Sequence, residues 1–142
     1  MYRIGDLAKL TGVTPDTIRY YEKQNILQHN ARTEGGFRLY TKDDLQQLRF
    51  IRYGRQLGFT LNAIKELLAI QVAPTRYTCK DSQNIVNARL CEVDARIAEF
   101  QIMRNSLQRL NDACCHADHN SDYCSILEIF EQFAETGPPK AD

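Results

Sequence analysis

The residues with the clearest chemical potential lie between Asn111 and Ser125, in the stretch NDACCHADHNSDYCS, which holds three of the five cysteines and two of the three histidines. Thiolate ligands mixed with imidazole suit Zn²⁺ and its heavier relative Cd²⁺ better than Mg²⁺ or Ca²⁺. The spacing C-C-x3-H-x4-C therefore indicates a metal centre. The candidate ligands are Cys114, Cys115, His119 and Cys124, together with the outlying Cys79.

The remaining cysteine and histidines have no comparable set of companions. Cys91 falls inside a predicted helix and is interpreted as a packing or surface residue, and His29 is expected at the surface. His116 lies in the same loop as the candidate ligands but has no obvious partner. In a reducing compartment, an odd number of cysteines is more typical of metal ligands, redox thiols or packing groups than of a disulfide framework.

Length and composition exclude several classes of protein. The 142 residues suffice for one domain, or for a small domain with an appendage. No apolar run approaches the roughly 18 to 20 residues that cross a bilayer, and the start MYRIGDLAKL lacks the sectors of a signal peptide. We therefore expect a cytoplasmic protein without a membrane partner.

The net charge of zero conceals two halves of opposite sign. Residues 1–76 contain 12 Lys and Arg against 7 Asp and Glu, whereas residues 77–142 contain 6 against 11. A basic half joined to an acidic half suggests a polyanionic partner for the first and a separate task for the second.

Two short helices separated by a tight turn are predicted at the start of the basic half. The first begins at Ile4 and is stopped by Gly12. Thr14 is the N-cap of the second helix, with Pro15 at its first position, and this helix runs to about Lys23. The pair is a helix-turn-helix candidate.

A small β-hairpin, here called the wing, is predicted in the following stretch HNARTEGGFRLY. Gly35 and Gly36 are expected to supply positive φ in its turn. Thr41 then caps a third helix, Lys42 to about Leu57, and Thr60 caps a fourth.

Basic and aromatic side chains collect on the second helix and the wing. Arg can contact phosphate or the O6 and N7 atoms of guanine, while Tyr and Thr can donate to phosphates or touch thymine methyl groups. The candidate DNA-binding residues are Thr17, Arg19, Tyr20, Tyr21, Lys23, Arg32, Phe37, Arg38 and Tyr40. One of the two adjacent tyrosines could instead be a core aromatic with its hydroxyl at the surface.

A long helix is predicted from about Lys80 to Asn111, preceded by the cap pair Thr78 and Asp81. Its apolar residues recur at spacings of 4, 3, 4, 3 and 7, as in a coiled coil. This row, here called the seam, consists of Val86, Leu90, Val93, Ile97, Phe100 and Leu107. Because no other segment is an obvious partner for so long a helix, we expect a homodimer.

Three stretches of the first half resemble the MerR family of bacterial transcription regulators. They are YRIGDLAKLTGVTPDTIRYYEK, RTEGGFRLYT and RFIRYGRQLGFTLNAIKELL. The resemblance implies a winged helix-turn-helix dimer, joined by an antiparallel coiled coil, on double-stranded promoter DNA with a palindromic element, and RNA polymerase as the partner at that promoter. It places Arg19, Tyr20 and Tyr21 in or beside the major groove and the wing residues along the flanking backbone.

An antiparallel pair of chains would bring the separated cysteines together. A helix over residues 80–111 is roughly 48 Å long at 1.5 Å per residue, so Cys79 and Cys114 of one chain cannot share an ion. Within the family, CCHADHNSDYC together with TCKD looks like the zinc-responsive members. That likeness implies one or two zinc ions per site and two sites per dimer, with Cys79 of one chain joining Cys114, Cys115, His119 and Cys124 of the other.

The sequence thus predicts a zinc-responsive activator of a zinc-export gene that acts by metal-dependent distortion of DNA, and not an enzyme. A sensor of the same family tuned to cadmium or lead is one alternative. A zinc hydrolase or thiol redox enzyme is disfavoured because no general base stands out and three thiolates leave zinc a poorer Lewis acid. A DNA-binding protein with purely structural zinc is a further alternative.

The predicted fold class is mainly α. It comprises a winged helix-turn-helix DNA-binding domain (1–72), a linker (73–79), a dimerisation helix (80–111), a metal-binding loop (112–125), and a short helix with a tail (126–142).

Overall fold

The computed structural model of the protein describes residues 1–29, 31–114, 120 and 124–136. The elements assigned there are β1 (Tyr2–Arg3), α1 (Ile4–Thr11), α2 (Pro15–Lys23), β2 (Ala31–Arg32), β3 (Arg38–Tyr40), α3 (Lys42–Gln56), α4 (Leu61–Val72), α5 (Cys79–Ala113) and α6 (Ser125–Thr136). The chain divides into two compact units, Met1–Arg89 and Leu90–Asp142.

The helix-turn-helix forms from the local signals that predicted it. Gly12 ends α1 in the left-handed region at φ 75°, and its N–H donates to the carbonyl of Ala8. The hydroxyl oxygen of Thr14 accepts from the backbone N–H of Thr17, and Pro15 occupies the first position of α2, where a missing N–H costs nothing. The orientation of α2 therefore follows from a short, tightly capped connection.

The wing is a hairpin of β2 and β3 with Arg32 opposite Arg38. Only Gly36 of the two predicted turn glycines has positive φ, at 84°, and its N–H donates to the Thr33 carbonyl. The short strand β1 also pairs antiparallel with β3, so that the sheet order is β1-β3-β2. The sequence did not predict β1, because its residues carry no turn signal or alternation of their own.

A single apolar core holds the first unit together. Its buried side chains come from α1 to α4, β3 and two connecting segments, and are Leu7, Ile18, Tyr21, Ile26, Leu27, Tyr40, Leu45, Leu48, Ile51, Phe59 and Ile64. Ile85 from the start of α5 packs against this core. Burial of these apolar surfaces is the main term that stabilises the winged domain.

Helix α5 begins one residue before the predicted start and ends two residues after the predicted end. Its cap pair is present, since the N–H of Thr78 donates to the carboxylate of Asp81 at 2.7 Å. Along the seam, Leu90, Ile97 and Phe100 are 53%, 59% and 64% exposed. None of the described helices combines the length and the apolar character needed to cross a membrane.

The turn between α3 and α4 contacts Arg89 of α5, so a substitution in this turn tests how much that contact contributes to the free energy of unfolding. Gly58 has φ 81°, and the Nε–H of Arg89 donates to the adjacent Leu57 carbonyl at 2.8 Å. A Cβ atom at Gly58 would collide with the Arg89 guanidinium. We expect Gly58→Ala to lower the free energy of unfolding by about 1–2 kcal/mol through backbone strain and by about 1 kcal/mol more through the lost hydrogen bond.

Gly36→Ala is the matched control for this prediction. Gly36 has nearly the same φ, but a Cβ atom there meets nothing within 4 Å. Urea unfolding of the two variants at equal protein concentration should therefore separate backbone strain from the Arg89 contact. Equal losses of stability would show that the Arg89 contact contributes nothing.

Candidate nucleic-acid interface and metal ligands

Helix α2 presents a polar and aromatic face on its exposed side. Arg19 is exposed and its Nη1 lies 3.0 Å from Oδ1 of Asp16. Tyr20 is 48% exposed and Lys23 is exposed, whereas Tyr21 is 6% exposed and belongs to the core. Of the two adjacent tyrosines, Tyr21 therefore has the core position that the sequence left open.

Thr17, on the same helix, is half-buried, and its hydroxyl lies 2.8 Å from that of Thr14. It also lines a groove with Tyr20, with Arg55 near the end of α3 and with Asn62 in the first turn of α4. Sequence reasoning assigned no role to Arg55 or Asn62. Their only signal was their place in the stretch RFIRYGRQLGFTLNAIKELL, beside the helix cap that starts α4.

The wing residues divide into an exposed pair and a pair turned toward α2. Phe37 is 64% exposed, with the Arg3 guanidinium carbon 5.9 Å from its ring centroid. Arg32 is exposed and donates from Nη1 to the Gly36 carbonyl. Arg38 is half-buried, and Tyr40 is completely buried.

Glu22, at the last turn of α2, joins α2 to this inner side of the wing. Its Oε1 accepts a 2.8 Å hydrogen bond from the hydroxyl of Tyr40, and its Oε2 lies 2.7 Å from Nδ1 of His29 and 3.4 Å from Nε of Arg38. His29 was expected at the surface, but its side chain is only 32% exposed and contacts this carboxylate. Sequence reasoning missed Glu22.

A signal for Glu22 was nevertheless present. It lies four residues after Ile18, which is fully buried, and residues four apart share a helix face. A carboxylate on a buried face requires partners. Burial, together with the hydrogen bond and charge of Glu22, raises the pKa of Tyr40, so its hydroxyl stays protonated and donates.

The space between α2 and the wing is a predominantly basic groove. It is lined by Arg19, Lys23, His29 and Arg38, with Glu22 at the same site. Cationic side chains flanking a groove of this kind can contact successive phosphates of a duplex.

The three candidate metal ligands that the structure describes lie at helix ends. Cys79 is exposed and is the first residue of α5, and Cys114 directly follows the end of that helix. The carbonyl of Cys124 accepts from the N–H of Glu128 and thus belongs to the first turn of α6. Cys115 and His119, like His116, lie outside the described residues.

Within residues 1–29, 31–114, 120 and 124–136, no three His, Cys, Asp or Glu side chains are close enough to hold a metal ion. The described candidates are three cysteines, and thiolates are favoured ligands of zinc and other soft metals. A helix N-terminus also favours negatively charged ligands, which fits Cys79 and Cys124. Cys91 is exposed on α5.

Comparison with known proteins agrees with the fold and with the predicted family. Residues 2–70 match the family described as MerR HTH family regulatory protein, and residues 45–110 match one described as MerR, DNA binding. The HTH-type transcriptional regulator ZntR of Escherichia coli strain K12 is 65% identical over 134 residues, covering 94% of this chain and 95% of the relative.

Two solved metal complexes share the fold. The transcription regulator PbrR691 from Ralstonia metallidurans CH34, in complex with lead(II), is 35% identical with a TM-score of 0.76, covering 92% of this chain and 99% of that one. MerR from Bacillus megaterium MB1, in complex with mercury(II), is 29% identical with a TM-score of 0.66 and covers 92% and 99%. These matches are to regulators, as the sequence predicted, and not to enzymes. The chain belongs to the MerR HTH family of DNA-binding transcriptional regulators.

Proposed function

We propose that two copies of the chain bind a palindromic promoter and activate a zinc-export gene when zinc is captured at the ends of their paired helices. The observation that carries this proposal is the arrangement on α5, where an exposed apolar seam runs between Cys79 at the first residue and Cys114 just beyond the last. With promoter DNA and RNA polymerase as its proposed partners, the protein would act in the cytoplasm.

The proposal that the chain binds DNA is based on which side chains of α2 and the wing are exposed. Arg19, Tyr20 and Lys23 of α2 are exposed and would enter or border the major groove, where Arg can read guanine and Tyr can contact phosphate or thymine. Arg32 and Phe37 of the wing would lie along the flanking backbone. Tyr21 and Tyr40 are buried and Arg38 is half-buried, which supports a different task for them, namely to hold α2 and the wing in place. Thr17 lines the groove that also contains Tyr20, Arg55 and Asn62. The proposed DNA-binding set therefore divides into residues that would face the duplex, Thr17, Arg19, Tyr20, Lys23, Arg32 and Phe37, and residues that would support them from behind, Tyr21, Arg38 and Tyr40.

The proposal that two chains form a dimer is based on the exposed apolar seam of α5. Five of the six seam side chains are 48–64% exposed, while Val93 is half-buried, and this row of apolar surface at a coiled-coil spacing is what a second copy would cover. In an antiparallel pair, the start of each α5 would lie beside the end of its partner. The proposed division is a DNA-binding domain (1–72), linker (73–79), dimerisation helix (80–111), metal-binding loop (112–125) and terminal helix with tail (126–142).

The metal part combines Cys79 of one chain with Cys114, Cys115, His119 and Cys124 of the other, at two sites per dimer with one or two ions each. Bound zinc would supply strong bonds that join thiolates and imidazole of two chains at each site. Lead(II) and mercury(II) in two structural relatives support a thiolate-rich site for soft metals in this fold. Lead and mercury, together with cadmium from the alternative prediction, are the competitors to include in a selectivity test.

The mechanism follows from how α5 is attached. Ile85 packs against the core of the winged domain and Arg89 donates to its Leu57 carbonyl, so a movement of α5 on metal capture would be passed to that domain and would change its position on DNA. Each base pair rotates the duplex by roughly 35°, and untwisting can restore the phase of two misaligned promoter elements. The deformation would be supported by phosphate contacts and by tighter metal binding in the distorting state.

The experiment that tests this function measures metal content and DNA affinity on the same purified protein, with and without a strong chelator. The probe is the duplex that the wild-type protein selects from a random library. We expect chelation to remove zinc while DNA affinity changes by no more than about threefold, because the winged domain has its own core. Loss of zinc and DNA binding together would instead indicate a structural metal.

A further inference from the structure

Glu22 occupies an unexpected place for an acidic side chain. It lies on the helix proposed to enter the major groove, and its neighbours in the groove are the basic residues Arg19, Lys23 and Arg38. A carboxylate beside a surface that binds a polyanion opposes binding through charge repulsion. Electrostatics alone would therefore disfavour an acidic residue at this position.

The contacts of Glu22 provide a reason for its presence. Only 10% of its side chain is exposed, and its two oxygens meet groups from two other segments of the chain. Tyr40 of β3 donates to Oε1, while His29 from the segment before the wing and Arg38 of β3 contact Oε2. The Nε of Arg38 is itself buried and has this carboxylate as its ion-pair partner.

These contacts connect the two elements that must reach DNA together. The ring of Tyr40 is completely buried in the core, so the hydrogen bond ties Glu22 to a fixed point. Charge-assisted hydrogen bonds are stronger and more directional than neutral ones. The angle between α2 and β3 is therefore held at their inner junction, away from the exposed contact face.

We infer that Glu22 is a positioning residue for DNA recognition, which holds the wing at a defined angle to α2. This inference rests on the proposed binding of DNA by α2 and the wing. It assigns Glu22 no contact with DNA. It also gives His29 a task, as one of the groups that orient the carboxylate.

The variant Glu22→Gln separates positioning from simple electrostatics by the sign of its effect. It keeps the size of the side chain and removes one negative charge from the DNA-binding face. If repulsion were its only influence, DNA binding would become tighter. If Glu22 positions the wing, the amide group directed at His29 and Arg38 should loosen the junction, and affinity for the selected duplex should fall about tenfold.

The matched control is Asp16→Asn, on the same helix. Its side chain is 95% exposed, and its ion pair is with Arg19 on the same helix. It removes the same charge, so affinity for the selected duplex should stay equal or increase. Both full-length proteins are measured by fluorescence anisotropy against the selected duplex and against a random duplex of the same length, at a temperature where both are folded.

We expect Glu22→Gln to lose affinity for the selected duplex but not for the random one, because non-specific binding depends on charge rather than on wing angle. Glu22→Gln binding as tightly as Asp16→Asn would overturn the inference. Should Glu22→Gln not fold, His29→Ala replaces it, with an expected loss of selectivity of about threefold. Unchanged selectivity in His29→Ala would then overturn the inference. Failure of the wild-type protein to select any duplex would instead contradict the proposed function.

Discussion

Replacing Cys79 by serine is expected to abolish the response to zinc while leaving DNA affinity nearly unchanged. The serine hydroxyl is not ionised at neutral pH and is a poor zinc ligand, whereas a thiolate is a preferred one. Changes to groups around a ligand already cost 10- to 100-fold in metal affinity, so loss of a ligand should cost at least about 100-fold. Cys79 is exposed and contributes nothing to the core, so folding should be unaffected.

The measurement is zinc-dependent transcription from a reporter promoter, together with zinc affinity and DNA affinity of the purified protein. Cys91→Ser is the matched control, because Cys91 is also an exposed cysteine on α5 but is not a proposed ligand. It should behave like the wild-type protein. A Cys79→Ser variant that still binds zinc and responds normally would rule out the shared site, and loss of DNA binding with it would point to a structural role.

A charged side chain in the seam is expected to have the second large effect, which is the loss of dimerisation and of DNA affinity. Phe100 is 64% exposed on a single chain and would be covered by the partner helix in the proposed dimer. Phe100→Glu should prevent pairing, because a buried carboxylate without a partner is strongly unfavourable. A monomer contacts one half-site instead of two, and loss of bivalent binding should weaken DNA affinity at least about 100-fold.

Sedimentation velocity and DNA affinity test this prediction on the same samples. Ala95→Glu is the control, since Ala95 is exposed on α5 and lies outside the heptad positions of the seam. It adds the same charge and should remain dimeric. The winged domain of both variants should stay folded, because its core lies within residues 1–85. If Phe100→Glu were dimeric and bound DNA normally, the seam would not be the dimer interface.

The helices and the wing could be predicted from the sequence because their signals are local. Thr14, Thr41 and Thr60 each accept from a backbone N–H within the first turn of the helix they precede, and this depends on a few neighbouring residues. The seam could likewise be predicted from the repeating spacing of apolar residues along α5. The types and spacing of the metal ligands were also visible in the sequence, and that ligand set stays a prediction.

The features that could not be predicted from the sequence depend on contacts between residues that are distant along the chain. The pairing of β1 with β3, the choice of Tyr21 over Tyr20 as the core residue, and the burial of Tyr40 each follow from packing across the winged domain. The same is true of Glu22, whose partner Tyr40 is 18 residues away, and of Arg89, which reaches a carbonyl 32 residues earlier. Local sequence determines which elements form and which side chains they carry. Only the packing of those elements decides which side chains are exposed on the proposed DNA-binding face and which are buried behind it, because burial and long-range hydrogen bonds arise when the whole core closes.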